Sequence, residues 1–198
     1  MSGIKISMRM FSGLHAHMVV FIAITNIDDT VLLLSGKVGE HMATKSILER
    51  IGLKIYEGEV DSKNMEVNVE KTKSVIDDVM PKFIFVNSSV KSKYEKFFWL
   101  NEYDAIYKIY DASQYLSNIE NDYINPFDMG FDAFTCTLGS QMVMFCTKAE
   151  DNYWNLFNSN ISTYVSKPQI YSTELPKEAL GEFIKRVSQV NTWLRNII

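Results

Sequence analysis

The chain has 198 residues, enough for one domain of moderate size with a real apolar core. Hydrophobic residues at 46% and charged residues at 22% are ordinary globular values and argue against a disordered polypeptide. A net charge of −4 with no clustered Lys/Arg face argues against nucleic acid, because phosphate backbones are met by basic surfaces.

In chain order, "GIKISM" reads as a short first strand. "SGLHAHMVVFIAITNI" reads as a helix opening at Ser12, whose hydroxyl can cap free backbone N–H groups. "DDTVLLLS" at 28–35 is a compact apolar run entered through acids and left through Gly36, which suits a buried strand. "EHMATKSILERIG" at 40–52 places Met42, Ile47, Leu48 and Ile51 on one helical face and stops at Gly52. "LKIYEGEV" is the next strand. Residues 66–81 form a helix with Val69, Val75, Ile76 and Val79 as its stripe, ended by Pro81. "KFIFVNSS" at 82–89 is a strand breaking into small polar residues. A helix through "KYEKFFWLNEY" and a strand at "AIYKIYDAS" follow, then two strands, "FDAFTCT" and "MVMFCTK", with a very short join. The tail reads as a helix around 150–158, a loop with Pro168 and Pro176, and an amphipathic helix from about Leu175 to Ile198.

These alternating units predict an α/β fold of three layers, a mainly parallel sheet with helices on both faces. Residues 1–150 are read as the α/β domain and 151–198 as a helical extension packing on it. The C-terminal helix could lay its apolar stripe on the sheet or on another chain. Cys136 and Cys146 are expected as buried free thiols in a reducing compartment. The opening "MSGIKISMRMF" lacks the apolar core of a signal peptide, and "MVVFIAI" is far short of the roughly 20 residues a bilayer span needs. A soluble, cytoplasmic protein without membrane partners is expected.

In such sheets ligands sit beyond the carboxyl ends of the strands. The rim residues are then Ser35 to His41, Asn87 to Ser92 and Asp111 to Gln114, with Ser12 and Gly13 opening the first helix. Each has two readings. Asp111 is a site carboxylate or a strand-end acid capping the next turn. Ser12 and Gly13 form an anion cradle or a plain N-cap, and His41 faces a ligand or bonds the backbone. His15 and His17 read as structural or solvent-facing; at i and i+2 they leave a helix in different directions, so a metal pair is not expected. Asp28, Asp29, Asp77 and Asp78 read as solvated turn and helix-end charges.

From about Ile4 to Thr147, roughly three-quarters of its length, the sequence resembles the large domain of the fold-type I pyridoxal-phosphate enzymes, most of all serine hydroxymethyltransferase. "FSGLHAH" is similar to the family's Ser-Gly phosphate turn, which implies phosphate binding by Ser12, Gly13 and Leu14 at a helix N-terminus. "VGEH" after the second strand resembles the family's Gly-Gly-His, which implies that His41 stacks on the cofactor ring. "MPKFIFVNSS" resembles its Lys-Pro-Lys strand ending in a serine, here Ser89. "YDAS" resembles its Val-Asp-x-x-His, with Asp111 facing the pyridine nitrogen and Gln114 where a histidine is usual. A carboxylate there keeps the ring protonated and a better electron sink.

Family members hold the cofactor as a Schiff base on a lysine in a Thr-Thr-Thr-His-Lys segment. Here only "LGSQ" joins the two strands, and Ser140 falls where the lysine is due. Lys148 lies beyond the second strand, and none of Arg9, Arg50, Arg186 or Arg195 occupies a position matching the family's substrate-carboxylate arginine. The N-terminal arm and the small C-terminal domain of the family have no counterpart in this stretch. The resemblance therefore implies a catalytically impaired homologue without a catalytic residue of its own, acting as a non-catalytic or regulatory subunit. It pairs with itself or with a related full-length chain, and holds pyridoxal phosphate non-covalently if it binds it. The alternative is a pyridoxal-phosphate enzyme acting on amino acids that draws its base from a partner chain or an unusual residue.

Overall fold

The computed structural model describes residues 3–35, 42–90, 94–117, 124–138, 142–164 and 172–195. Among them lies an eight-stranded sheet: β1 (Gly3–Met10), β2 (Thr30–Leu34), β3 (Lys54–Glu57), β4 (Phe83–Val86), β5 (Tyr107–Asp111), β6 (Ala133–Leu138), β7 (Met142–Lys148) and β8 (Ser172–Pro176). Their order across the sheet is β3-β2-β4-β5-β6-β7-β1-β8. The pairings from β3 to β6 are parallel, while β7, β1 and β8 complete one side by antiparallel pairing.

Alternation along the strands feeds two cores. Leu33, Phe83, Phe85, Ile109, Ala133 and Phe145 face one layer, built from α1 (Gly13–Ile24), α2 (Met42–Arg50) and α5 (Asn152–Tyr164). Leu32, Ile84, Val86, Tyr110, Phe134 and Met144 face the other. That layer contains α3 (Val69–Val79), α4 (Ser113–Ser117), α6 (Leu180–Arg195) and two 3-10 segments, Tyr94–Glu102 and Pro126–Met129. The three-layer α/β expectation holds. α1 has no polar face because it lies under α2 and α5; Ala16, Val19, Val20, Phe21, Ala23 and Ile24 are all buried. α6 lays Leu180, Ile184 and Val187 on the sheet side of the second layer.

Three local expectations change. The segment at 94–102 is a 3-10 helix, with Phe97, Trp99 and Leu100 packed into the core. The expected loop through Pro176 is in part a strand, residues 172–176, because the free edge of β1 offers unpaired backbone groups that Gly3 to Ser7 share with it. Asp29 is not a solvated turn charge: its carboxylate accepts from the Asn26 N–H and the Lys82 ammonium, both at 2.8 Å. The cysteines are buried and free. No described helix is long and apolar enough to cross a membrane.

Gly130 closes the 3-10 segment that ends at Met129 with φ of 101°, and a Cβ there would stand 2.7 Å from the Asn101 Oδ1. Gly130→Ala is expected to destabilise the fold by about 1–2 kcal/mol, since an L side chain pays for the left-handed region and must also push Asn101 aside. Urea unfolding checks this.

Candidate functional site

Parallel registry brings the strand ends into one row. Leu34 pairs with Val86, Val86 with Tyr110, and Asp111 with Thr135. The next residues, Ser35, Asn87 and Asp111, therefore lie side by side with Thr135. By alternation Asp111 shares the α1 face with Ile109.

α1 begins directly above this row. The Ser12 hydroxyl accepts from the His15 N–H at 3.1 Å and the Ser12 carbonyl from the Ala16 N–H at 2.9 Å. The N–H groups of Gly13 and Leu14 have no acceptor among the described residues and lie at the positive end of the helix. Gly13 is close enough to β6 that a Cβ on it would lie 3.1 Å from the Thr137 Oγ1.

A continuous polar circuit follows. The Thr137 N–H donates to the Ser113 Oγ at 3.0 Å. The Ser113 hydroxyl and N–H donate to the Asp111 Oδ1 at 2.6 and 3.1 Å. The Asp111 Oδ2 lies 3.3 Å from the His17 Nε2, one helical turn beyond Gly13. His17 and Asp111 are 3% and 5% exposed. The imidazole is held behind by its Nδ1, 3.1 Å from the Thr44 Oγ1 of α2, and by Phe85, edge-on at 4.9 Å. Burial pushes the Asp111 carboxyl upward, but His17 and the two Ser113 donors outweigh it, and the group ends below the usual carboxylate value.

The expected residues sort as follows. Ser12, Gly13, Leu14 and Asp111 gather at this corner. Ser89 lies in a buried turn just past β4, its N–H donating to the Asn87 Oδ1 at 3.2 Å. Gln114 is exposed on α4 next to Ser113. His41 and Ser140 lie outside the described residues. Lys148 ends the antiparallel β7 and so sits at the amino edge of the parallel strands, its ammonium on Asp132 at 3.1 Å. His17, Thr44, Ser113 and Thr137 complete the circuit; Ser113 falls within the rim stretch 111–114, while His17, Thr44 and Thr137 were not singled out by the sequence as site residues. His17 carried one usable signal, being four residues after Gly13 and so on the same helix face.

The corner fits a ligand with an anionic group and a cationic or proton-bearing ring. Two uncommitted helix-start N–H groups suit the anion, and an ionised buried carboxylate suits the ring. Asn87 and Thr135, 0% and 2% exposed on either side of Asp111, leave the Asn87 Nδ2 and the Thr135 Oγ1 without a hydrogen-bond partner among the described residues. Such atoms are costly to leave unmet in a folded interior. Open clefts include one of about 610 Å³ beside Gly3, Lys148 and Lys177, and one of about 760 Å³ that runs from Ser35 in the strand-end row to Glu57 and Lys71.

No protein-family model matches the sequence. Over 130 residues it is 28% identical to a serine hydroxymethyltransferase of Archaeoglobus fulgidus, covering 63% of this chain and 30% of that protein. In structure it is similar to the L-threonine transaldolase from Pseudomonas fluorescens, with TM-score 0.64 and 14% identity over 79% of this chain and 38% of that one. It is also similar to the ureidoglycine–glyoxylate aminotransferase from Bacillus subtilis, with TM-score 0.57 and 16% identity over 80% and 41% of the two chains. The chain thus spans about a third of the length of the matched hydroxymethyltransferase. The fold is that of the large domain of the pyridoxal-phosphate-dependent transferases.

Proposed function

We propose that this chain is a hydroxymethyltransferase-like domain that keeps the floor of a pyridoxal-phosphate site and works as a non-catalytic or regulatory subunit, paired with itself or with a related full-length chain. The observation that supports it best is the position of Asp111, ionised at the carboxyl end of β5 and closed against the start of α1. In this reading the Gly13 and Leu14 N–H groups, with Ser12, hold the phosphate, and Asp111 holds the ring nitrogen. In this reading His41 stacks on the cofactor ring, and Ser89 and Gln114 belong to the same rim. The cofactor, when bound, supplies an electron sink for a carbanion next to an amino group.

Four of the described lysines are paired with acids, Lys45 with Glu57 at 3.1 Å, Lys82 with Asp29, and Lys108 and Lys148 with Asp132. A chain of this kind orients and neutralises the cofactor but supplies no amine to tether it. The unmet Asn87 and Thr135 atoms favour a second reading: the pocket still receives a cofactor–amino-acid adduct, and a partner chain brings the base.

Purified protein mixed with pyridoxal phosphate and treated with borohydride is expected to show no reduced lysine adduct by mass spectrometry, while fluorescence quenching reports reversible binding. An adduct on any lysine at stoichiometric yield overturns the non-catalytic reading.

A further inference from the structure

His17 stands out because three elements fix it and the carboxylate is what they turn it toward. α1 carries it, α2 anchors its Nδ1 through Thr44, and β4 packs Phe85 against its ring. That leaves the Nε2 at 3.3 Å from the Asp111 Oδ2, in a region with almost no solvent. At this spacing the contact is close without being a well-formed hydrogen bond in the ligand-free protein. The Asp111 Oδ1 is meanwhile fully used by Ser113.

We propose that His17 is the positioning residue of this site: through an Nε2–H it holds the Asp111 carboxylate ionised and in place before any ligand arrives. An isolated buried carboxylate would escape desolvation by taking up a proton, and a protonated Asp111 cannot attract a pyridinium-type ring. With His17 behind it, the charge is kept. The assignment of what that charge is for rests on the cofactor reading above; the assignment of what maintains it does not.

The surroundings leave few competitors. Among the described residues, the titratable groups that interact with Asp111 are His17 from α1, Tyr110 on its own strand and Cys136 on β6. Burial pushes the Tyr110 hydroxyl and the Cys136 thiol upward, and Asp111 adds to both, so both stay neutral at neutral pH. Among the described residues, α4 contributes the Ser113 donors, α2 the Thr44 hydroxyl to His17, and β4 the apolar Phe85.

Carbon-13 NMR titration of the Asp111 carboxyl in ligand-free protein tests the proposal. In wild type the midpoint is expected below the ordinary aspartate value; in His17→Leu it moves upward, and in His17→Gln, whose amide can still donate, it moves back part of the way. An unchanged midpoint in a folded His17→Leu protein overturns the proposal. Should that variant not fold, the wild-type imidazole decides: long-range nitrogen-15 spectra are expected to show a proton on the Nε2, and a bare Nε2 overturns the proposal. Pyridoxal phosphate affinity is the separate arm, expected to fall about tenfold in His17→Leu through loss of the group that holds the Asp111 carboxylate. Wild-type protein that binds none, with Asp111 still titrating upward in the variant, overturns the cofactor reading while supporting the His17 assignment.

Discussion

Asp111→Ala is expected to destabilise the protein by about 3 kcal/mol and to abolish reversible binding of pyridoxal phosphate. Removing a buried carboxylate strands the donors that face it without water, and that penalty exceeds the worth of the contacts themselves. Here the stranded groups are the His17 imidazole and both Ser113 donors, all of which turn inward at the end of β5. The double variant His17→Leu with Asp111→Ala should be less damaged than the sum of the two singles, because it leaves no unpaired partner. Chemical denaturation of the four proteins measures both quantities, and a loss below about 1 kcal/mol for Asp111→Ala would show that the carboxylate is not held by buried donors. The pH dependence has a definite sign. Asp111 has its value lowered by folding, so its contribution is full above the ordinary aspartate range and disappears as pH falls through the lower folded value. The gap between wild type and Asp111→Ala should therefore hold at neutral pH and shrink below about pH 4.

The second large effect belongs to Phe85. It is fully buried on β4, meets Phe21 edge-on at 5.4 Å and supports the face of His17 at 4.9 Å. Phe85→Ala is expected to lower stability by about 3–5 kcal/mol, the lost transfer energy plus a cavity between sheet and α1 that a rigid helix cannot close. It should also loosen the His17 ring, seen as broadened imidazole signals. By contrast, Met80→Ala at the exposed end of α3 should change stability by less than about 0.5 kcal/mol. A Phe85 variant as stable as wild type would mean that the α1 layer does not pack as described.

Much of this molecule is local physics and could be read directly. Ser12 before an apolar run caps α1 because a hydroxyl meets N–H groups three residues ahead, and the apolar runs at 31–34, 83–86 and 107–111 are strands because both of their faces are covered. The Asp111 position followed from the same logic, since an acid after such a run must sit at a strand end. Residues 172–176 were harder: "STELP" has no apolar run, and it is a strand only because β1 presents an open edge. The 3-10 winding of 94–102 likewise reflects how Phe97, Trp99 and Leu100 must reach one core, which spacing alone does not distinguish from an α-helix.

By itself, then, the sequence determined the order of elements, the parallel sheet and the carboxylate at its rim, because apolar periodicity and caps act between neighbours. Only the tertiary structure decided that the carboxylate is met by His17, that Thr44 and Phe85 orient that imidazole, and that Ser113 and Thr137 tie β5 and β6 to the start of α1. Those partners lie on separate elements, and their pairing is set by sheet registry and helix packing, which bring distant residues together without leaving a pattern along the chain.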